Sequence, residues 1–191
     1  MISFDTMRLF FALLSMACVV AVVGIAAIAV GARYSAGVAQ IRDSVFESLR
    51  GYELWMAFAL ALGATLGSLY LSEIVHLIPC RLCWFQRIFM YPLVIVLGVA
   101  AKRRDATVGL TTSILAGLGL VIAGYHYLIQ QFPSLDSGAC DLNAPCSAAY
   151  IWQWNFLSIP FMAGSAFALI LTLMFVLRTN VGRMSELELA E

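Results

Sequence analysis

The sequence predicts an all-α membrane protein: a four-helix transmembrane bundle plus one additional N-terminal transmembrane helix. The chain of 191 residues is 62% hydrophobic and only 12% charged, whereas a soluble domain is about 45–50% apolar and about 25% charged. Five long apolar runs follow one another, and most cations lie in alternate connections between them. The formal net charge of zero argues against nucleic acid or another polyanion as the main partner.

Each apolar run is long enough to cross a hydrocarbon layer of about 30 Å as a helix. The first run could instead be a cleaved signal peptide, with Gly31-Ala32 as a small-residue cleavage site. Its apolar region exceeds the roughly 7–15 residues of a signal, however, and cleavage would place the following cations outside the cell. We therefore expect five spans: Leu9–Val30, Leu54–Ile78, Trp84–Ala101, Ala106–Ile129 and Phe156–Leu177.

The last four spans are expected to form one bundle over residues 51–178, with the first span peripheral to it. Gly63 and Gly67 form a small-residue pair that would let helices approach closely. Residues 1–50 would comprise the first span and a cytoplasmic linker, in which 31–50 could form a short amphipathic helix. Residues 179–191 would be a cytoplasmic tail.

Cations predict the orientation, because Lys and Arg are retained on the cytoplasmic side. In a five-span chain one side receives Arg33, Arg42, Arg50, Lys102, Arg103, Arg104, Arg178 and Arg183. The loop 130–155 on the other side has no Lys or Arg. The N-terminus is therefore expected outside and the C-terminus inside, with four cysteines at the outer face, where disulfides persist.

Cys80 and Cys83 form a Cys-x-x-Cys pair at the entrance of the third span. Pro79 suits the start of a helix, since its missing N–H costs little there. With a helix beginning near Cys80, the positions i, i+3 and i+7 place Cys80, Cys83 and Arg87 on one face. The helix N-terminus and the nearby cations Arg81 and Arg87 favour a thiolate, which is the reactive form of cysteine.

Arg87 is costly within a bilayer and therefore a candidate functional residue. Its charge would suit a thiolate or a quinone carbonyl gaining electrons, and Trp84 offers a flat surface for the ring. The alternatives are a snorkelling arginine and an aromatic interface anchor. Glu73 and His126 lie at the same depth and could relay the two protons of quinone reduction, or be structural.

Cys140 and Cys146 lie in the cation-free loop, at a spacing that a disulfide can close. A disulfide in an exposed loop is accessible to an attacking thiolate, although a structural staple is the alternative. The fifth cysteine, Cys18, lies within the first span and is expected to be a packing residue.

The most specific motif is Pro-Cys-Arg-Leu-Cys-Trp-Phe-Gln-Arg-Ile-Phe-Met-Tyr-Pro-Leu at 79–93. Supporting segments are Gly-Ser-Leu-Tyr-Leu-Ser-Glu-Ile at 67–74, Ala-Gly-Tyr-His-Tyr-Leu-Ile-Gln at 123–130, Pro-Cys-Ser-Ala at 145–148 and Ile-Pro-Phe at 159–161. On these residues the chain resembles the bacterial disulfide-forming membrane proteins of the DsbB type, closest to the BdbC-like branch.

The resemblance implies a multi-pass protein of the bacterial cell membrane that reoxidises an exported, DsbA-like thioredoxin-fold protein and passes the electrons to ubiquinone or menaquinone. Cys83 would be the thiolate beside the quinone and Arg87 the arginine that supports it. Cys140 would be attacked by the partner, and Cys146 would exchange with Cys80. No metal is implied.

Two other functions compete with this one. An enzyme of the vitamin K epoxide reductase type has a similar bundle, but its loop cysteines precede the membrane Cys-x-x-Cys, which is the reverse of the order here. A non-enzymatic metal-binding or scaffold protein could use the four thiolates as zinc ligands.

Overall fold

The computed structural model describes residues 4–136, 140, 144–148 and 150–188. The described residues form six α-helices and one short antiparallel hairpin, β1 and β2. Between the helices lie a π-helical turn and two 3-10 turns. The bounds are α1 Phe4–Gly31, α2 Ala36–Leu49, α3 Glu53–Leu69, the π turn Tyr70–Ile74, α4 Arg81–Arg103, the 3-10 turn Ala106–Val108, α5 Gly109–Gln131, the 3-10 turn Pro133–Leu135, β1 Trp152–Gln153, β2 Leu157–Ser158 and α6 Ile159–Glu188.

Five of these segments are long and apolar enough to cross a membrane, which confirms the predicted number of spans. The second ends at Ile74 rather than Ile78, because the chain turns out of the helix before Pro79. The fifth starts at Ile159 rather than Phe156, because the hairpin occupies the preceding residues. It also continues without a break to Glu188, so the described part of the predicted tail is helical.

The bundle consists of α3, α4, α5 and α6, in which α3 contacts α4 and α6, and α5 contacts α4 and α6. Its core contains Leu93, Leu97, Ile170 and Leu173, all with 0% exposure. Because α4 begins at the end where α5 finishes and α6 begins, this topology brings both cysteine pairs to the same end of the bundle.

Helix α1 lies beside the bundle and contacts α6 and α3. Much of its surface is exposed, yet Ser15 Oγ lies 2.9 Å from Ser165 Oγ of α6, and both side chains are buried. Phe11 packs so closely on Gly67 of α3 that a Cβ there would lie 2.6 Å from the ring. The absence of a side chain at Gly67 thus allows α1 to pack closely on α3. A Cβ at Gly63 would meet nothing within 4 Å, so Gly63 is not needed for a close helix contact.

Helix α2 forms within the segment 31–50, where a short helix was expected. It is joined to the opposite end of the bundle from the cysteines. The Asn180 side-chain amide donates to the Phe46 carbonyl at 2.9 Å and to Glu53 Oε1 at 2.7 Å. All three residues are buried, so these hydrogen bonds satisfy polar groups that would otherwise destabilise the junction.

Candidate redox site

Cys80 is the N-cap of α4, and its Sγ accepts a hydrogen bond from the Cys83 backbone N–H at 3.3 Å. The two sulfur atoms lie 2.8 Å apart, and both thiols are free of a disulfide. Cys80 is 3% exposed. A sulfur at this position faces the unpaired N–H groups of the first helical turn, which stabilise negative charge.

His126 of α5 lies between the two cysteine pairs. Its Nε2 is 3.6 Å from Cys80 Sγ and 3.2 Å from the Cys146 carbonyl oxygen. The Gln86 side-chain nitrogen lies 3.1 Å from Nδ1 of the same ring. Because that amide nitrogen can only donate, Nδ1 accepts and the proton of a neutral ring is on Nε2. His126 therefore directs an N–H group at Cys80 and Cys146.

These contacts favour a thiolate at Cys80, which precedes the α4 span. The hydrogen bond with Cys83 lowers the pKa of the Cys80 thiol most. Burial opposes that change, and the hydrogen bond and the electrostatic interaction with His126 lower the pKa further. In the dithiol state the negative charge is thus held at Cys80, whereas the family resemblance implies a thiolate at Cys83.

Cys140 and Cys146 are joined by a disulfide, as their spacing allowed, with Cα atoms 5.7 Å apart. Cys146 is 0% exposed and packs in one apolar cluster with Cys80, Leu82 and Ile129. Cys83 and Cys140 lie against that cluster. The fold therefore collects the four paired cysteines at one place.

An apolar cavity of about 160 Å³ opens on the other side of Cys83. Cys83 and Arg87 of α4, Ser68 of α3 and Met162 of α6 contribute to its wall. A cavity of about 150 Å³ lined by apolar side chains can hold a benzene ring. The size and the apolar lining suit a six-membered ring placed beside Cys83.

Arg87 is held at the cavity wall by Ser68. Its Nε donates to Ser68 Oγ at 2.9 Å and its Nη2 to the Ser68 carbonyl at 3.0 Å. The guanidinium carbon lies 5.1 Å from the ring centroid of Trp84. Within the described part of the chain, Arg87 has no carboxylate partner and Nη1 no acceptor. The positive charge of Arg87 is therefore available to a group bound in the cavity.

Three predicted cofactor residues lie outside the cavity wall. Trp84 stacks on Arg87, and His126 lies among the cysteines. Glu73 is exposed in the π turn, where its carboxylate accepts a hydrogen bond from Ser72 at 3.0 Å. Glu73 was expected near the cofactor because it lies at the end of the second span, and in the structure that end is a π turn in which Glu73 is exposed.

Ser68 and Gln86 were not singled out in the sequence, although they hold Arg87 and His126. Gln86 is 6% exposed and is polar within an apolar span, which was a usable signal. Ser68 gave no such signal, because serine is common in membrane helices and its contact with Arg87 depends on how α3 packs against α4.

The comparisons with known proteins agree with this architecture. The family model "Disulfide bond formation protein DsbB" matches residues 52–177. Disulfide bond formation protein C of Bacillus subtilis is 44% identical over 126 residues, covering 65% of this chain and 91% of that protein. A probable disulfide formation protein of Oceanobacillus iheyensis is 42% identical over 132 residues, covering 68% and 89%. No solved structure matches. The chain belongs to the DsbB family of disulfide bond formation proteins.

Proposed function

We propose that this protein is a membrane thiol–quinone oxidoreductase that reoxidises an exported, DsbA-like thioredoxin-fold protein. The observation that carries the proposal is the position of the Cys80–Cys83 pair. Cys80 belongs to the cluster that contains the loop disulfide, while Cys83 lines the apolar cavity beside Arg87. The pair thus connects a disulfide that a partner can attack with a cavity that fits a quinone ring.

The first half of the cycle transfers two electrons from the partner to the loop pair and on to the helix pair. A partner thiolate attacks Cys140 and breaks the Cys140–Cys146 bond, which releases Cys146 as a thiolate. Cys146 attacks Cys80 of an oxidised Cys80–Cys83 pair and releases Cys83. The second partner thiol displaces Cys140, which leaves the partner oxidised. Cys140 then attacks Cys146, which restores the loop disulfide and leaves Cys80 and Cys83 reduced.

This product state has the pairing found in the structure: a loop disulfide and a free Cys80–Cys83 pair. A bound quinone would be the oxidant and would take two electrons and two protons from the dithiol. Arg87 would hold its carbonyl oxygen through the unpaired Nη1 position. His126 would hold the Cys80 thiolate and take part in proton movement, while the dithiol closes to a disulfide.

The proposed orientation places both cysteine pairs outside the cytoplasm, in a bacterial cell membrane with the N-terminus outside and the C-terminus inside. The support is the charge distribution, because the bundle end that carries the cysteines is far poorer in cations than the opposite end. An exported partner would reach Cys140 from that side.

The test is turnover with purified protein, a reduced DsbA-like protein, and ubiquinone or menaquinone in separate assays. Wild type should oxidise the partner over many turnovers only when a quinone is present, and Cys83→Ser should abolish turnover. Ala17→Ser, on the exposed side of α1 and outside the cavity wall, is the control and should keep turnover. Wild-type rates in Cys83→Ser would reject the proposal. A Cys146→Ser variant should also trap the partner as a mixed disulfide with Cys140.

A metal-binding role is the second candidate, since the ligand atoms of Cys80, Cys83 and His126 lie within 4.8 Å of one another. The sulfur separation of 2.8 Å is shorter than the roughly 3.7 Å that two thiolates adopt on a tetrahedral zinc ion with bonds of about 2.3 Å. Stoichiometric zinc in the anaerobically purified protein, with no quinone-dependent turnover, would favour this role.

A further inference from the structure

Helix α1 precedes the residues that the family model matches, and the redox mechanism assigns it no task. One face of this helix nevertheless lines the same cavity as Cys83 and Arg87. The contributing side chains are Phe11, Leu14, Ser15 and Cys18.

We infer that α1 is a wall of the quinone site, and that Ser15 and Phe11 are positioning residues that fix the space available to the ring. This inference rests on the proposed function, because it takes the cavity beside Cys83 as the place where a quinone binds. It assigns substrate-binding residues to a segment outside the family match.

Ser15 fixes the rotation of α1 against α6. Ser165 Oγ donates to the Met162 carbonyl at 2.8 Å, so its hydrogen is used. The Ser15 hydroxyl must then donate to Ser165 Oγ at 2.9 Å. Both serines line the cavity, and each is less than 10% exposed. A polar contact between two apolar helices at this depth orients the face that α1 presents to the cavity.

Phe11 connects α1 to the residue that holds Arg87. Its ring occupies the space that a side chain at position 67 would take, with 2.6 Å between a Cβ there and the ring. The next residue, Ser68, accepts both hydrogen bonds from Arg87. A displacement of the Phe11 ring would therefore alter the backbone to which the guanidinium is bonded.

The decisive variant is Ser15→Leu, which adds a bulky side chain inside the cavity. Its matched control is Ala17→Leu, which makes a similar addition on the exposed side of the same helix. We expect Ser15→Leu to raise the Kd of a short-tailed ubiquinone by about tenfold or more, as measured by quenching of tryptophan fluorescence. Ala17→Leu should bind as wild type does. Ala17→Leu should also exchange disulfides with the partner at the wild-type rate.

A second measurement does not depend on the folding of a cavity variant. In the oxidised protein both cysteine pairs are disulfides, so Cys18 is the one free thiol of five cysteines. Saturating ubiquinone should slow alkylation of Cys18 by a small lipophilic maleimide several-fold. In the control, Ala17→Cys combined with Cys18→Ser, quinone should not protect the thiol.

Two results overturn the inference while the proposed function stands: equal quinone affinities for Ser15→Leu and Ala17→Leu, or a Cys18 alkylation rate that quinone leaves unchanged. A wild-type protein that binds neither ubiquinone nor menaquinone overturns the proposed function, and this inference with it.

Discussion

Nε2 of His126 lies 3.6 Å from Sγ of Cys80, and so α5 contributes an imidazole to the thiol pair at the start of α4. The same nitrogen is 3.2 Å from the carbonyl oxygen of Cys146. The buried His126 side chain therefore contacts both Cys80 and Cys146, the two residues proposed to exchange a disulfide between the helix pair and the loop pair.

His126→Gln should change the pH dependence of Cys80 alkylation in protein with an intact loop disulfide. His126 contributes to the lowered pKa of Cys80. Wild-type Cys80 is therefore a thiolate at pH values well below the ordinary thiol pKa of about 8.5. Its alkylation rate should therefore differ little between pH 6 and pH 8. In the variant the inflection should move to a higher pH, so that the rate falls relative to wild type at acidic pH while the two rates converge at alkaline pH.

The control for this experiment is His76→Gln, because His76 is exposed and lies between the π turn and Pro79. Its profile should match wild type, with alkylation at Cys80 followed by mass spectrometry. Identical profiles for wild type and His126→Gln would show that the imidazole does not stabilise the thiolate.

Arg87→Lys should raise the KM for quinone about tenfold, because Lys cannot make the two contacts with Ser68 and also present a third nitrogen to the cavity. Ser68→Ala should have a smaller effect, since the Ser68 carbonyl remains as an acceptor. Arg33→Lys, at an exposed position between α1 and α2, is the control. Equal KM values for Arg87→Lys and Arg33→Lys would contradict a role of Arg87 at the cofactor.

Gly119→Ala should destabilise the bundle, because a Cβ at this position would lie 2.3 Å from the ring of the fully buried Phe167. We expect a loss of about 1–3 kcal/mol in the free energy of unfolding, seen as a lower thermal midpoint in detergent. Gly117→Ala is the control two residues away, where a Cβ meets nothing within 4 Å. An unchanged midpoint for Gly119→Ala would mean that α5 and α6 pack less closely there.

The proposed orientation predicts a difference in labelling between the two ends of the bundle. After reduction, Cys140 should react with a membrane-impermeant maleimide added to intact bacterial cells. A cysteine introduced by Ser185→Cys, in the exposed last turns of α6, should react only after the membrane is opened. The reverse pattern would place the cysteine pairs inside and exclude an exported partner.

The sequence predicted the five spans and the helix start at Cys80, because apolar length and a Pro-Cys N-terminus are local signals. The partners of Arg87 and His126 could not be read in the same way. Ser68 meets Arg87 only through the packing of α3 on α4, and Gln86 meets His126 only through that of α4 on α5. The exposure of Glu73 in a π turn could not be read from its position at the end of a span. The contact of α1 with the bundle depends on the close approach of Phe11 to Gly67, which has no local signal in the sequence.

Electron transfer from the Cys80–Cys83 pair to quinone is tested most directly in a single turnover without oxygen. The reduced variant Cys140→Ser/Cys146→Ser, which keeps only the helix pair, is mixed with one equivalent of quinone. The mechanism predicts one quinol for each Cys80–Cys83 disulfide formed, with the loss of two thiols, and no quinol when Cys83→Ser is added. A quinol yield no higher than that of the Cys83→Ser control would contradict it.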